Sequence, residues 1–144
     1  MDVSLKGEYA LRAVFDLADR AGAGPVKIAE IAARQEIPQK FLELILAQLK
    51  QGGFLGSRRG SEGGYFLAKE PEAITVGEIL RHIEGPIALG HRVGDKAPPP
   101  DSPFPELWDQ VERALSSVID QTSSADLVAR WKEKSSHQAA NWQI

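Results

Sequence analysis

From Glu8 to Ala21 the apolar residues Ala10, Ala13, Val14, Leu17, Ala18 and Ala21 recur at spacings of three and four, which predicts a helix with one buried face. The run Ala21-Gly-Ala-Gly-Pro25 ends it. Ile28, Ile31 and Ala32 predict a short second helix, with a turn near Arg34 to Glu36. A third helix starts near Pro38, whose fixed φ and missing N–H suit a first turn, and stops at Gly52-Gly53. Its wheel divides cleanly: Phe41, Leu42, Ile45 and Leu49 on one side, Gln39, Lys40, Glu43, Ala47 and Lys50 on the other. Phe54 to Ser57 and Tyr65 to Leu67 then flank a polar, glycine-rich tip, Arg58 to Gly64, as in a β-hairpin with a flexible loop. Helix, turn, helix and hairpin is the order of a winged helix-turn-helix domain, placed at residues 1–85.

The second half changes character. Thr75 can cap a fourth helix whose apolar face is Val76, Ile79, Leu80 and Ile83 and which ends at Gly85-Pro86. Residues 86–103, with Gly90, Gly94, Pro98-Pro99-Pro100 and Pro103, predict a long loop. Beyond it Phe104, Trp108, Val111, Leu115, Val118 and Thr122 alternate spacings of four and three, the seam of a helix that packs on a partner helix. A short last helix is expected from Ser124 through Leu127, Val128 and Trp131, closing a segment 104–135, with a polar, frayed tail at 136–144. The fold class is thus mainly α with one small β-hairpin: a winged helix followed by a long dimerisation helix.

Composition narrows the chemistry. The chain has no cysteine among its 144 residues, which removes disulfides, thiolate metal sites and cysteine nucleophiles. No apolar run approaches the roughly 20 residues of a membrane span, and no apolar leader follows Met1, so the cytoplasm is expected and no membrane partner. The net charge of −3 is unlike that of a nucleic-acid binder. It is unevenly spread, however. Residues 1–69 hold ten Lys and Arg against eight Asp and Glu, whereas residues 70–144 hold seven against twelve, so the N-terminal half is the better placed to meet phosphate. No nucleophile and base pair, phosphate-cradling glycine motif or carboxylate dyad is present, and an enzyme is not expected. His91, with Asp95 nearby, is too small a set for a metal site, and His82 lies off the apolar stripe of its helix as a surface residue. Neither a metal nor another cofactor is expected.

Gly7-Glu-Tyr-Ala-Leu11, Glu30-Ile-Ala32, Phe41-Leu-Glu43, Ser57-Arg-Arg-Gly60 with Gly63-Gly-Tyr65, Ile74-Thr-Val76 and Glu84-Gly85 fall in order. In these the chain resembles the Rrf-two family of bacterial winged-helix transcriptional regulators across residues 1–125, most specifically in the Arg-Gly-x-x-Gly-Gly-Tyr wing. The resemblance implies a homodimer on double-stranded DNA, with each N-terminal domain reading one half-site and the helix from Phe104 pairing across the two-fold axis through Phe104, Trp108, Val111, Leu115 and Val118. Relatives often carry three cysteines in the loop before that helix, as iron–sulfur ligands. Here the loop supplies none, and Glu8, at a position where some relatives use a carboxylate ligand, is better read as an acid complementing a helix N-terminus.

Winged helices place the recognition helix in the major groove, which makes Gln39, Lys40, Glu43 and Leu44 the candidates for base contact, a solvated helix face being the plain alternative. Arg58 and Arg59 can reach a narrow minor groove or its phosphates, with Gly60 letting that backbone come close. Tyr65 is read as a wing anchor rather than a base-stacking group, and Tyr9 and Arg12 as candidates to reach phosphate from the first helix. The signal to which such a regulator responds is expected to be a small metabolite or a protein partner, sensed at the loop 86–103 and at a cavity between the fourth helix and the dimer helix. A dimeric protein-interaction adaptor without DNA binding is the competing reading, against which the double arginine and glycine-rich wing stand.

Overall fold

The computed structural model describes residues 3–87 and 101–142. Helix α1 spans Leu5–Asp19, α2 Ile28–Gln35 and α3 Gln39–Gln51, followed by strands β1 Leu55–Arg58 and β2 Gly64–Leu67, a 3-10 turn at Pro71–Ala73, and helices α4 Val76–Glu84, α5 Phe104–Gln121 and α6 Ser124–Trp142. The winged-helix order read from the sequence is the observed one. His91, Asp95, the prolines 98–100 and most of the expected sensor loop lie outside the described residues. Among the described residues no helix is long and apolar enough to cross a membrane.

The core lies where α1, α2, α3 and α4 converge, with Val14, Ile31, Leu42, Ile45, Leu46, Leu49, Ile74 and Ile79 fully buried. All but Ile74, which follows the 3-10 turn in extended conformation, sit on the apolar side of a helix, so the same periodicity that makes these segments helical also delivers one face inward. Capping fixes the helix ends. Ser4 Oγ accepts from the Gly7 N–H at 3.0 Å at the start of α1, and Thr75 Oγ1 accepts from the Glu78 N–H at 3.2 Å at the start of α4. The α2–α3 turn is tight because Glu36 takes a left-handed conformation (φ 54°), letting the Ile37 N–H reach the Ala32 carbonyl at 3.0 Å.

An acid on the buried side of α1 holds α2 in place. The Asp16 carboxylate, 3% exposed, receives Arg34 Nε and Nη2 at 2.9 Å each and Gln35 Nε2 at 3.1 Å. This bidentate pair raises the Arg34 pKa further above its already high ordinary value, chiefly through the hydrogen bond to Asp16.

Two elements differ from the sequence reading. Arg58 belongs to β1, opposite Gly64, so the hairpin tip contracts to residues 59–63, and Val26 joins the free edge of β2 through an isolated antiparallel bridge to Tyr65. Gly64 (φ 155°) allows that approach, since a Cβ there would overlap the Val26 backbone. The second difference is α6, which continues through the expected polar tail to Trp142 instead of ending near Trp131. A reciprocal cap starts it, with Ser123 N–H donating to Asp126 Oδ2 at 2.9 Å and Asp126 N–H to Ser123 Oγ at 3.0 Å. No glycine or proline interrupts the segment from Ser124 to Trp142, and Ala, Lys, Glu and Gln sustain a helix without burial.

The junction between α5 and α6 is bolted to the start of α4. Val76 N–H donates to the Thr122 carbonyl at 2.9 Å and Ser124 N–H to the Ile74 carbonyl at 2.8 Å. Arg81 on α4 grips α5 as a fork on Asp120, at 2.5 and 3.0 Å, which lowers the Asp120 pKa below its ordinary value.

Candidate nucleic-acid interface

With Leu42, Ile45, Leu46 and Leu49 turned into the core, α3 presents the opposite face to solvent. Gln39, Lys40, Glu43, Leu44 and Ala47 are all exposed there, Leu44 by 65% although it is apolar. Amide, ammonium, carboxylate and methyl tips on one helical face form a varied set of hydrogen-bonding and apolar groups, the kind that distinguishes base edges. The last residue of this polar face is occupied internally: Lys50 Nζ donates to Ser57 Oγ at 2.6 Å, fastening the end of α3 to β1.

The hairpin that follows carries Arg58 and Arg59, both exposed, and neither forms an ion pair among the described residues. The tip is folded on itself rather than loose. Gly60 (φ 103°) turns the chain, the Gly63 N–H donates to the Gly60 carbonyl at 3.0 Å, and Lys27 Nζ donates to the Ser61 carbonyl at 2.6 Å, tying the tip to the start of α2. Tyr65, half-buried, exchanges two 2.8 Å backbone bonds with Val26, the arrangement of a residue that anchors the wing.

Tyr9, half-buried, and Arg12, exposed, both make contacts within the domain. The Tyr9 ring meets Phe41 edge-on at 5.6 Å, and the Arg12 guanidinium lies 5.9 Å from the Tyr9 ring centre. Arg12 also donates to Glu8 at 3.3 Å and to the Gln35 carbonyl at 3.4 Å. They connect α1 to α2 and α3, while Arg12 stays exposed on the surface. Glu8 stands in the first turn of α1, as an acid favoured there by the helix dipole.

On α5 the expected seam divides by exposure. Phe104, Val111 and Val118 are exposed, whereas Trp108 and Leu115 are half-buried on the side nearer α4, and Thr122 is buried with its hydroxyl on the Val118 carbonyl at 2.8 Å. Leu107, 43% exposed, extends the open stripe and was missed by the seam spacing. It stands one helical turn before Val111, and that position was the available signal.

Other residues that position the interface also escaped the sequence reading. Asp16 lies between Ala13 and Leu17 on the buried stripe of α1, and an acid at such a place is itself a signal for a paired cation. Lys27 and Lys50 gave no such signal, because their partners are a backbone carbonyl and a serine brought near only by folding. His82 is exposed as expected, but it is used: its Nε2 stands 2.7 Å from the Gln48 carbonyl, and its ring meets Phe54 at 5.6 Å, joining α4 to the end of α3.

Comparison with known proteins places this geometry. A family model, Rrf2, described as an iron-dependent transcriptional regulator, matches residues 3–130. The chain is 36% identical over 129 residues to the HTH-type transcriptional regulator CymR of Bacillus subtilis, covering 90% of this chain and 91% of that protein. It is 39% identical over 135 residues to the HTH-type transcriptional regulator IscR of Escherichia coli, covering 89% and 80% respectively. Among solved structures, that of CymR, the global cysteine regulator of B. subtilis, superposes with a TM-score of 0.81 at 35% identity over 90% of this chain and 98% of that one. T. potens IscR follows at 0.79 and 36%, over 93% and 90%.

Proposed function

The chain belongs to the Rrf2 family of transcriptional regulators, and we propose that it acts in the cytoplasm as a homodimer that reads double-stranded DNA without an iron–sulfur cluster. Its relatives are regulators and not enzymes. The observation that carries the reading is the pairing of an exposed amide-and-cation face on α3 with two exposed arginines on a braced wing. In this reading α3 enters the major groove. Gln39 pairs with adenine, Lys40 with guanine or phosphate, Glu43 accepts from cytosine, and Leu44 packs on a thymine methyl. Arg58 and Arg59 follow the adjacent minor groove or its phosphates, where negative potential concentrates. Arg12, exposed on α1 beside the Tyr9 ring, reaches phosphate from the first helix.

The exposed stripe Phe104, Leu107, Val111 and Val118 supplies a self-complementary dimer face. A two-fold interface uses the same patch on both subunits, so the two recognition helices would meet two half-sites of a pseudo-palindrome.

The iron that the family description implies does not fit this chain. An iron–sulfur cluster is held chiefly by thiolates, and the sequence contains no cysteine. Among the described residues no group of three or more His, Cys, Asp or Glu side chains is placed to hold a metal. No regulatory step is therefore routed through a cluster, and a small metabolite or a protein partner is left as the signal.

The test is selection from random double-stranded DNA with purified, iron-free protein, followed by titration of the enriched site at two salt concentrations. Enrichment of a two-fold symmetric site whose affinity falls steeply with salt is the expected result. Absence of any enriched sequence would overturn the reading in favour of an interaction adaptor.

A further inference from the structure

A cleft of about 400 Å³ opens behind the wing, between the end of α1 with its following turn on one side and β2 with the segment leading to Pro71 on the other. Its polar equipment comes from three places. Arg20 stands at the end of α1, held only by a loose 3.9 Å contact to Asp19. Arg58 comes from β1 and Lys69 from just beyond β2, its ammonium lying over the Phe54 ring at 5.3 Å, against a single acid, Glu70. Leu17, Val26, Tyr65 and Leu67 add apolar surface.

The third element is backbone. Tyr65 exchanges both of its bonds with Val26, and Ala68 N–H donates to the Phe54 carbonyl at 2.9 Å. In an antiparallel ladder this alternation turns the N–H and C=O of both Tyr65 and Leu67 away from β1. Tyr65 meets Val26 there. Two residues on, the neighbouring chain has turned away at Gly24 and Pro25, and neither backbone group of Leu67 has a partner among the described residues. The cleft is therefore the vacant continuation of a third strand, one residue long, with cations at its rim.

We propose that this cleft binds a small N-acylated amino-acid-like carboxylate. A single amide unit offers the acceptor and donor that Leu67 lacks, as strand addition does. Its side chain lies on Val26 and Leu67, and its carboxylate meets Arg20, with Arg58 the second cation. A longer peptide strand is disfavoured, because only one residue of edge is open. Arg58 lines both the cleft and the wing, so an anion held there draws on a cation needed for DNA, and occupancy weakens operator binding. This last step rests on the DNA-binding reading; binding to the cleft does not.

The experiment titrates N-acetyl-leucine into full-length, DNA-free, isotopically labelled protein, followed by amide NMR and calorimetry, with its neutral amide and inorganic phosphate as separate probes. Saturable binding that moves the Leu67 and Val26 amides, and that weakens at least about tenfold for the neutral probe and for Arg20→Ala, is expected; a tenfold loss is about 1.4 kcal/mol. Arg20 is half-buried and its ion-pair contact is a loose 3.9 Å, so its variant keeps the fold. No saturable binding, equal binding of the neutral amide, or the same shifts with phosphate alone would each overturn the proposal, the last by revealing a bare anion site. Operator affinity is then measured with and without saturating N-acetyl-leucine. A fall is expected, and unchanged affinity would remove the regulatory step while leaving the site. A protein that bound no DNA at all would instead count against the reading of α3 and the wing, and the DNA-free titration would stand on its own.

Discussion

Replacing Val118 with Asp tests the dimer face most directly, since Val118 is 66% exposed in the single chain, beside Phe104 at 56%, Leu107 at 43% and Val111 at 36%. Full burial of a valine side chain contributes about 1.5 kcal/mol, so the exposed part of Val118 has about 1 kcal/mol to gain. A two-fold interface contains the residue twice, which doubles the loss. Val118→Asp also places two carboxylates in an apolar seam, at a further cost of about 2–4 kcal/mol in all. The total is about 4–6 kcal/mol, or three to four decades in the dissociation constant at about 1.4 kcal/mol each. Sedimentation equilibrium over a wide concentration range reads this directly. Ser117→Asp, which adds the same charge off the stripe, serves as the control and leaves the association unchanged. A Val118→Asp protein that dimerises within about tenfold of the original constant would show that α5 is not the dimer face.

Three further outcomes are expected. Arg59→Ala lowers affinity for all sequences alike and flattens the dependence of log affinity on log salt by about one per contact removed, whereas Gln39→Ala or Lys40→Ala costs about 1–3 kcal/mol per contact and changes the preferred bases; unaltered binding in all three, in a titration series, would remove the docking scheme. Asp16→Ala strands Arg34 and Gln35 and destabilises the domain by about 2–4 kcal/mol in urea unfolding, below the usual range for a buried pair because Arg34 is 32% exposed and can rehydrate; a loss under about 0.5 kcal/mol would mean that the pair does not hold α2. Because Arg81 keeps the folded-state pKa of Asp120 below its unfolded value, its contribution is present above the ordinary carboxylate pKa of about 3.9 and disappears as pH falls through the lower folded value. The thermal stability gap between the unmodified protein and Asp120→Asn is small, under about 1 kcal/mol for so exposed a pair, and closes on acidification; a gap that widened at low pH would contradict this assignment.

Burial in this molecule follows periodicity closely in α3 and α4 and, apart from Asp16 and the exposed Ala21, in α1. Each apolar stripe has one way to be inward, and glycines at 52, 53 and 85 mark where helices must stop. The exposed face of α3 and the arginines of the wing were legible for the same reason, being what remains when the stripe is buried. Burial on α5 was not legible: the four-three spacing marks a broad apolar band, and only the packing of that helix on α4, through the Arg81 fork on Asp120, divides it into a half-buried side and an open side. The length of α6 escaped for the opposite reason. A polar helix carries no apolar period, and its persistence to Trp142 follows from a good cap and the lack of breakers.

What the sequence determined by itself, then, is every feature set by local periodicity or by residue inventory: the element order, the exposed polar face of α3, the hairpin and the impossibility of thiolate ligands. Tertiary structure alone decided the features that join residues far apart in the chain. Asp16 meets Arg34, Val26 extends the hairpin at Tyr65, Lys27 braces the tip at Ser61, and the cleft opens where the chain leaves the β2 edge. Such contacts depend on where whole elements come to rest, and local pattern carries no record of that because loop closure costs little more for one distant partner than for another.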